Sequence, residues 1–255
     1  MYAIIILWAH PRSMSTAIER IMRERGDFEC LHEPFLHYYY LERSGGKPLP
    51  HFATEQDHPL SYADTRDLIL QRAAKAPIFA KDMSYYVMPE ILRDEEFCRR
   101  VRHCFLIRNP LHSILSYYKL DSDVGLDEIG LEAQWRQLQG LQQMGITDSV
   151  VLEAEAVQTD TEHTMRLFWD ALELDYEEQA LSWKQESTPQ DWQYVQGWHR
   201  SVSGSRGIRQ PSASATQQAQ TEFDQLSEQE PKLREYLSHH LPFYERLRGH
   251  SVSRK

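Results

Sequence analysis

The apolar run Ala3-Ile-Ile-Ile-Leu-Trp-Ala9 passes without a spacer into His10-Pro-Arg-Ser-Met-Ser-Thr16 and then into Ala17-Ile-Glu-Arg-Ile-Met22. A continuous apolar run of this length reads as a buried strand, and the segment that follows reads as a tight loop and a helix. Such a turn aims the unpaired N–H groups of the first helical turn at the space above the strand end, which makes it a ready anion site. Arg12 adds a guanidinium to that cradle, and Ser13, Ser15 and Thr16 add three hydroxyl donors around Met14. A phosphate-bearing ligand is the expectation.

The loop departs from the phosphate loop of nucleoside triphosphatases, G-x-x-x-x-G-K-[ST], because no glycine precedes Gly26. Without glycine the backbone is expected to wrap an anion less closely, leaving more of the contact to side chains. One terminal phosphate group, held without an obligatory metal ion, is the consequence.

The same pattern recurs downstream. Val101-Arg-His-Cys-Phe-Leu-Ile107 reads as a strand closed by Arg108-Asn109-Pro110, after which Leu111, Ile114, Leu115 and Tyr118 share a helical face. Further strands are predicted at Phe28–His32, Pro77–Lys81 and Ser149–Leu152, and helices at Tyr62–Ala74, through Leu131–Leu141 and through Met165–Leu172. Strands alternating with helices imply a three-layer α/β domain, with a mostly parallel sheet flanked by helices. The 255 residues suit one domain spanning 1–255. Two stretches interrupt the pattern: 36–62, read as a substrate-side loop region, and the polar 201–218, read as a mobile lid. Terminal helices follow at Phe223–Leu226 and Leu233–Leu241, broken near Pro231.

A formal charge of −10 argues against broad binding to nucleic acid or to an anionic membrane face, so any anion site is local. Cys30, Cys98 and Cys104 show no ligand spacing and fit reduced thiols, and the N-terminal run is too short for a membrane span and lacks a basic flank. A cytoplasmic protein is expected. The histidines are scattered (His10, His51, His58) or adjacent (His239, His240), so no metal site is predicted.

Arg108 stands at a strand end, where open parallel sheets bind ligands, and Ser116 follows eight residues later on the next helix. An arginine and a serine hydroxyl there would grip a second phosphate, so a nucleoside carrying two phosphate groups would bridge Arg12 and the pair Arg108 and Ser116. Taken in order, Pro11-Arg12-Ser13-Met14-Ser15-Thr16 and Arg108-Asn109-Pro110 with Ser116 resemble the sulfotransferases that use 3'-phosphoadenosine 5'-phosphosulfate. The resemblance implies that the first segment holds the 5'-phosphosulfate and the second the 3'-phosphate, and that adenosine 3',5'-bisphosphate is the product. It also suggests that Gly204-Ser205-Arg206-Gly207 closes over the 3'-phosphate, with His199 and Arg200 as alternates.

Sulfuryl transfer needs in-line placement, charge stabilisation and a base for the acceptor proton. Arg12 would supply the charge. Leu31-His32-Glu33-Pro34-Phe35 resembles a Phe-Glu-Pro segment of carbohydrate sulfotransferases, which makes Glu33 the preferred base, its pKa raised by partial burial beside Phe35. The bland reading is that Glu33 caps a helix starting at Pro34. Asp82 and His32 are rivals, and Lys81 matches the lysine of a Lys-Thr-His segment whose histidine is replaced here by Met83. Tyr38–Tyr40, Tyr85, Tyr86, Tyr117 and Tyr118 either line an acceptor pocket or belong to the core. The expected partner is a small-molecule hydroxyl acceptor. A kinase-like phosphotransferase and a nucleotide-binding protein without catalysis remain open beside this reading.

Overall fold

The computed structural model describes residues 3–46, 58–184, 189, 191–192 and 204–254. The strands are β1 (Ile4–Ala9), β2 (Glu29–His32), β3 (Ile78–Met83), β4 (Arg102–Ile107) and β5 (Val150–Glu153). Helices α1 (Ser15–Arg25), α2 (Tyr62–Ala73), α3 (Ser84–Val87), α4 (Glu95–Arg100), α5 (Pro110–Tyr118), α6 (Leu131–Gln143), α7 (Ala154–Thr159), α8 (Thr161–Ala171), α9 (Ala215–Gln229) and α10 (Lys232–Arg248) surround them. Among the described residues, all four pairings between these strands are parallel and the order is β2-β3-β1-β4-β5. The α/β reading of the sequence therefore holds, with β1 at the centre.

The apolar run of β1 is continuous because both of its faces are covered. Ile4, Ile6 and Trp8 join a cluster with Phe105, Leu131, Leu138 and Leu247, while Ile5 and Leu7 join Ile18, Ile21, Leu106 and Trp169 on the other face. Side chains that alternate along a strand thus feed two separate cores.

Ladder pairing between β1 and β4 ends at Trp8 opposite Phe105. Beyond it, Gln134 on α6 donates its amide to the carbonyls of both Trp8 and Leu106, each at 2.9 Å, and the Arg108 N–H donates to His10 Nε2 at 3.0 Å. Side chains thus satisfy these backbone groups at the carboxyl ends of β1 and β4, where the strands part. The chain crosses β1 in going from β3 to β4, which makes this the switch in strand order. Gly130 is required beneath it: at φ 82° it approaches His10 so closely that a Cβ would lie 3.0 Å from the His10 Cβ.

Two segment readings change. In the 36–62 region, Tyr38–Arg43 forms a π-helical turn with Tyr38 and Tyr40 buried, and Ser61 caps α2 by accepting from the Asp64 N–H; residues 47–57 lie outside the described residues. In the 201–218 region, α9 already begins at Ala215. The last helix runs through Pro242 to Arg248, past the predicted end at Leu241. Among the described residues no helix is long and apolar enough to cross a membrane.

Candidate functional site

The glycine-free loop after β1 curls tightly because two ordinary residues accept left-handed backbone: Arg12 at φ 63° and Met14 at φ 74°. Alternation of left- and right-handed residues turns successive N–H groups into one concavity, the anion nest that glycines usually supply. The expectation of a looser backbone is therefore corrected: the curvature is retained at a strain cost of about 1 kcal/mol or more per residue. The surrounding packing enforces it. Met14, partly buried, packs on the second core cluster, and the Ser13 N–H donates to the His10 carbonyl at 3.3 Å.

Ser13 is fully buried, and its hydroxyl has no partner among the described residues, an uncommon state for a buried polar group. Ser15, also buried, and the half-buried Thr16 open α1. Arg12 sends its guanidinium away from its own loop, donating from Nε to Ser116 Oγ at 2.9 Å. Arg108 donates from Nη1 to the Arg12 carbonyl at 2.8 Å, while its buried Nε has no partner among the described residues. Burial, and then Arg108, hold the Arg12 guanidinium below its ordinary proton affinity; burial does the same to Arg108. Arg12, Arg108 and Ser116, expected at two separate subsites, thus share one cluster, in which the charge of Arg108 bears on that of Arg12. Asn109 caps α5 by accepting from the Leu111 N–H, and Glu155 accepts the Asn109 N–H at 2.9 Å. His10 is buried and kept neutral, its pKa lowered to about 3 by burial, His240 and Arg108.

Gly204–Gly207 does not hang free. Gly207 pairs antiparallel with Ser182, the Trp183 N–H donates to the Arg206 carbonyl at 3.1 Å, Ser205 is buried, and the Arg206 side chain is exposed. The stretch is a strap laid along residues 182–183. His199 and Arg200 lie outside the described residues.

Glu33 lies one residue past β2 with φ 44°. Its Oε1 takes a very short hydrogen bond from Lys81 Nζ, and Tyr86 donates to its Oε2 at 3.2 Å. Burial pushes the Glu33 carboxyl up, but Lys81 and His32 outweigh it and the carboxyl is held below its ordinary value. This corrects the expected upward shift: the sequence displays the apolar neighbour Phe35 but hides the ammonium delivered from β3. Nor does Glu33 cap a helix. Asp82 serves the turn instead, accepting the N–H groups of Phe35 and Met83 at 2.8 Å each, and burial raises its carboxyl well above the ordinary range. His32 is held neutral by burial and by Lys81.

Of the two readings of the tyrosines, burial supports the core. Tyr40, Tyr85, Tyr86 and Tyr117 are buried, with the Tyr40 and Tyr85 hydroxyls 3.2 Å apart, and Tyr86 reaches Glu33. Sequence reasoning missed Gln134, Gly130, Glu19 and Trp192. The first two are ordinary residues on helix or turn signals, and only proximity across the fold gives them a role.

Comparison with known proteins places the chain in a family. Two curated Arabidopsis thaliana proteins are similar: "Branched-chain-amino-acid aminotransferase-like protein 1", 28% identical over 97% of this chain, and "Branched-chain-amino-acid aminotransferase-like protein 2", 28% identical over 82% of it. The chain spans only about two fifths of their length, 42% and 36% respectively. Among solved structures, the "Sulfotransferase Domain from the Curacin Biosynthetic Pathway" superposes with a TM-score of 0.47 at 13% identity, covering 89% of this chain and 98% of that one. The "Sulfotransferase Domain from the Synechococcus PCC 7002 Olefin Synthase" gives 0.46 at 14%, covering 88% and 94%. A family model described as a sulfotransferase domain matches residues 3–247, nearly the whole chain, and the protein therefore belongs to the sulfotransferase domain family.

Proposed function

We propose that this protein transfers a sulfuryl group from 3'-phosphoadenosine 5'-phosphosulfate to the hydroxyl of a small acceptor, releasing adenosine 3',5'-bisphosphate. The observation that carries the reading is the convergence of Arg12, Arg108 and Ser116 beside a left-handed loop whose buried Ser13 hydroxyl and nearby Arg108 Nε have no partner among the described residues. Two like charges that bear on each other in a half-buried place are stabilised by an anion. A donor with two anionic ends fits two such sets of contacts.

In this reading the loop amides with Ser13, Ser15 and Thr16 hold the 5'-phosphosulfate, while Arg108 and Ser116 hold the 3'-phosphate with the strap at Ser205, Arg206 and Gly207 closing nearby. Met14 contributes its backbone. Arg12, at the seam of the two subsites, neutralises charge as the bond to the leaving phosphate breaks. Glu33 takes the acceptor proton as the acceptor oxygen bonds to sulfur. Held ionised by Lys81, it is ready to accept at neutral pH, though as a weak base, so in-line placement carries more of the acceleration than proton affinity does.

The test is calorimetric titration with adenosine 3',5'-bisphosphate and with ATP, followed by transfer of labelled sulfate from 3'-phosphoadenosine 5'-phosphosulfate to a panel of phenols, alcohols and sugars. Preference for the bisphosphate together with label transfer is the expected result. Preference for ATP refutes the reading in favour of a phosphotransferase, and bisphosphate binding with no transfer to any hydroxyl leaves a nucleotide-binding protein.

A further inference from the structure

Behind the candidate base lies a buried polar group that the reading above does not use. Glu19, in the second turn of α1, is fully buried, as is Lys81. Its Oε2 lies 2.6 Å from His32 Nδ1, and its Oε1 accepts from Arg23 Nε at 2.8 Å and from Trp192 Nε1 at 2.9 Å. Lys81 Nζ stands 3.9 Å from Glu19 on one side and is hydrogen-bonded to Glu33 on the other. A single buried ammonium therefore faces two carboxylates, one on the helix that grows out of the anion loop and one at the end of β2.

Resting on the reading of Glu33 as base, we infer that Glu19 is a positioning residue for it: by sharing Lys81 with Glu33 and anchoring His32, Glu19 keeps the Glu33 carboxylate from being locked to the ammonium and ties its place to the helix that bears the donor loop. The physical argument is electrostatic division. In a desolvated site an ammonium opposed by one carboxylate forms a tight pair, and a second carboxylate at 3.9 Å weakens that pairing while repelling the first charge. His32 is neutral, so it transmits position rather than charge. The remaining groups facing Glu33 are Tyr86, which donates to it, and Asp82, whose carboxyl is driven toward its neutral form by burial. Those facing Glu19 are Arg23, Cys30 and Asp191, with Asp191 itself 2.5 Å from Arg23.

Two carboxylates sharing one ammonium are coupled, whereas sites that are well separated and share no partner are additive. A double-mutant cycle of Glu19→Gln and Glu33→Gln, read as the folded-to-unfolded ratio by denaturant titration at pH 7, tests this on the full chain without any acceptor. The double variant is expected to lose at least about threefold more than the product of the single losses, because Glu33→Gln alone leaves Lys81 the more distant Glu19 carboxylate and the double variant leaves it neither. A loss equal to the product, or smaller, overturns the inference. Should Glu19→Gln fail to fold, Glu19→Asp takes its place; the cost of Glu33→Gln must then still rise relative to the wild-type background, and no rise overturns the inference. With label transfer in hand, the acid limb of kcat/KM is expected at lower pH in Glu19→Gln and back toward wild type in Glu19→Asp; an unmoved limb counts against the role. Coupling in the cycle with no sulfuryl transfer by the wild type would sink the functional reading and leave the shared ammonium standing. Transfer without coupling would do the reverse.

Discussion

Under the proposed function, replacing Arg108 by alanine distinguishes the two phosphate subsites, because its side chain makes one hydrogen bond within the protein and leaves another donor open. Nη1 supports the Arg12 carbonyl at 2.8 Å, and the buried Nε has no partner among the described residues and is available to an anion. A hydrogen bond to a charged group contributes about 1.5–3 kcal/mol. Losing it from the 3'-phosphate therefore weakens adenosine 3',5'-bisphosphate binding by roughly 10- to 150-fold. Adenosine 5'-monophosphate, which lacks that phosphate, supplies the internal control. Isothermal titration of both nucleotides into wild type and Arg108→Ala is expected to show the bisphosphate falling toward the monophosphate, whose own affinity changes by less than about threefold. Equal weakening of both would mean that Arg108 acts only by propping the Arg12 carbonyl. Unchanged binding of both would refute the assignment of the anion cluster altogether. Ser116→Ala, which removes a neutral donor, is expected to cost about 1 kcal/mol in the same direction.

Glu33→Gln is expected to abolish label transfer and to lower unfolding stability by about 3 kcal/mol in urea titration, since it strips the short-range partner from buried Lys81. Because the folded pKa of Glu33 lies below its ordinary 4.5, its contribution is complete above that pH and fades as the pH falls through the folded value; the stability difference between wild type and variant should therefore shrink under acid conditions. His10, His103 and His240 are lowered by burial to about 3, 4 and 4, so they stabilise the neutral fold above pH 6.5 and oppose it increasingly below. The midpoint of thermal unfolding should drop steadily between pH 6.5 and 4, and His103→Gln should flatten that slope; a slope identical to wild type would exclude His103 from the effect. At Met14, held at φ 74°, glycine should be neutral within about 1 kcal/mol, relief of strain offsetting lost packing, whereas Met14→Val should cost at least about 2 kcal/mol; equal denaturation midpoints would contradict the left-handed loop.

The sequence by itself determined the alternation of elements and the place of the anion loop, because both are local. The run Ile4–Ala9 has no way to satisfy its side chains except between two covering layers, and Asn109-Pro110 starts a helix by its own chemistry. It also brought Arg12, Arg108 and Ser116 into one hypothesis, since each sits at a recognisable strand end or helix face. What it misjudged was nonlocal. The left-handed turns at Arg12 and Met14 carry no glycine to announce them and exist because packing against the second core overrides their intrinsic preference. The charge state of Glu33 was set by Lys81, 48 positions away, and by Glu19 on a helix that reads in sequence as merely amphipathic. Parallel register alone brings His32 opposite Lys81 and so places the ammonium beside Glu33. Local pattern decides which segments become strands and helices, whereas proton affinity depends on which charges the finished sheet brings within a few ångströms, and that distance belongs to the tertiary structure.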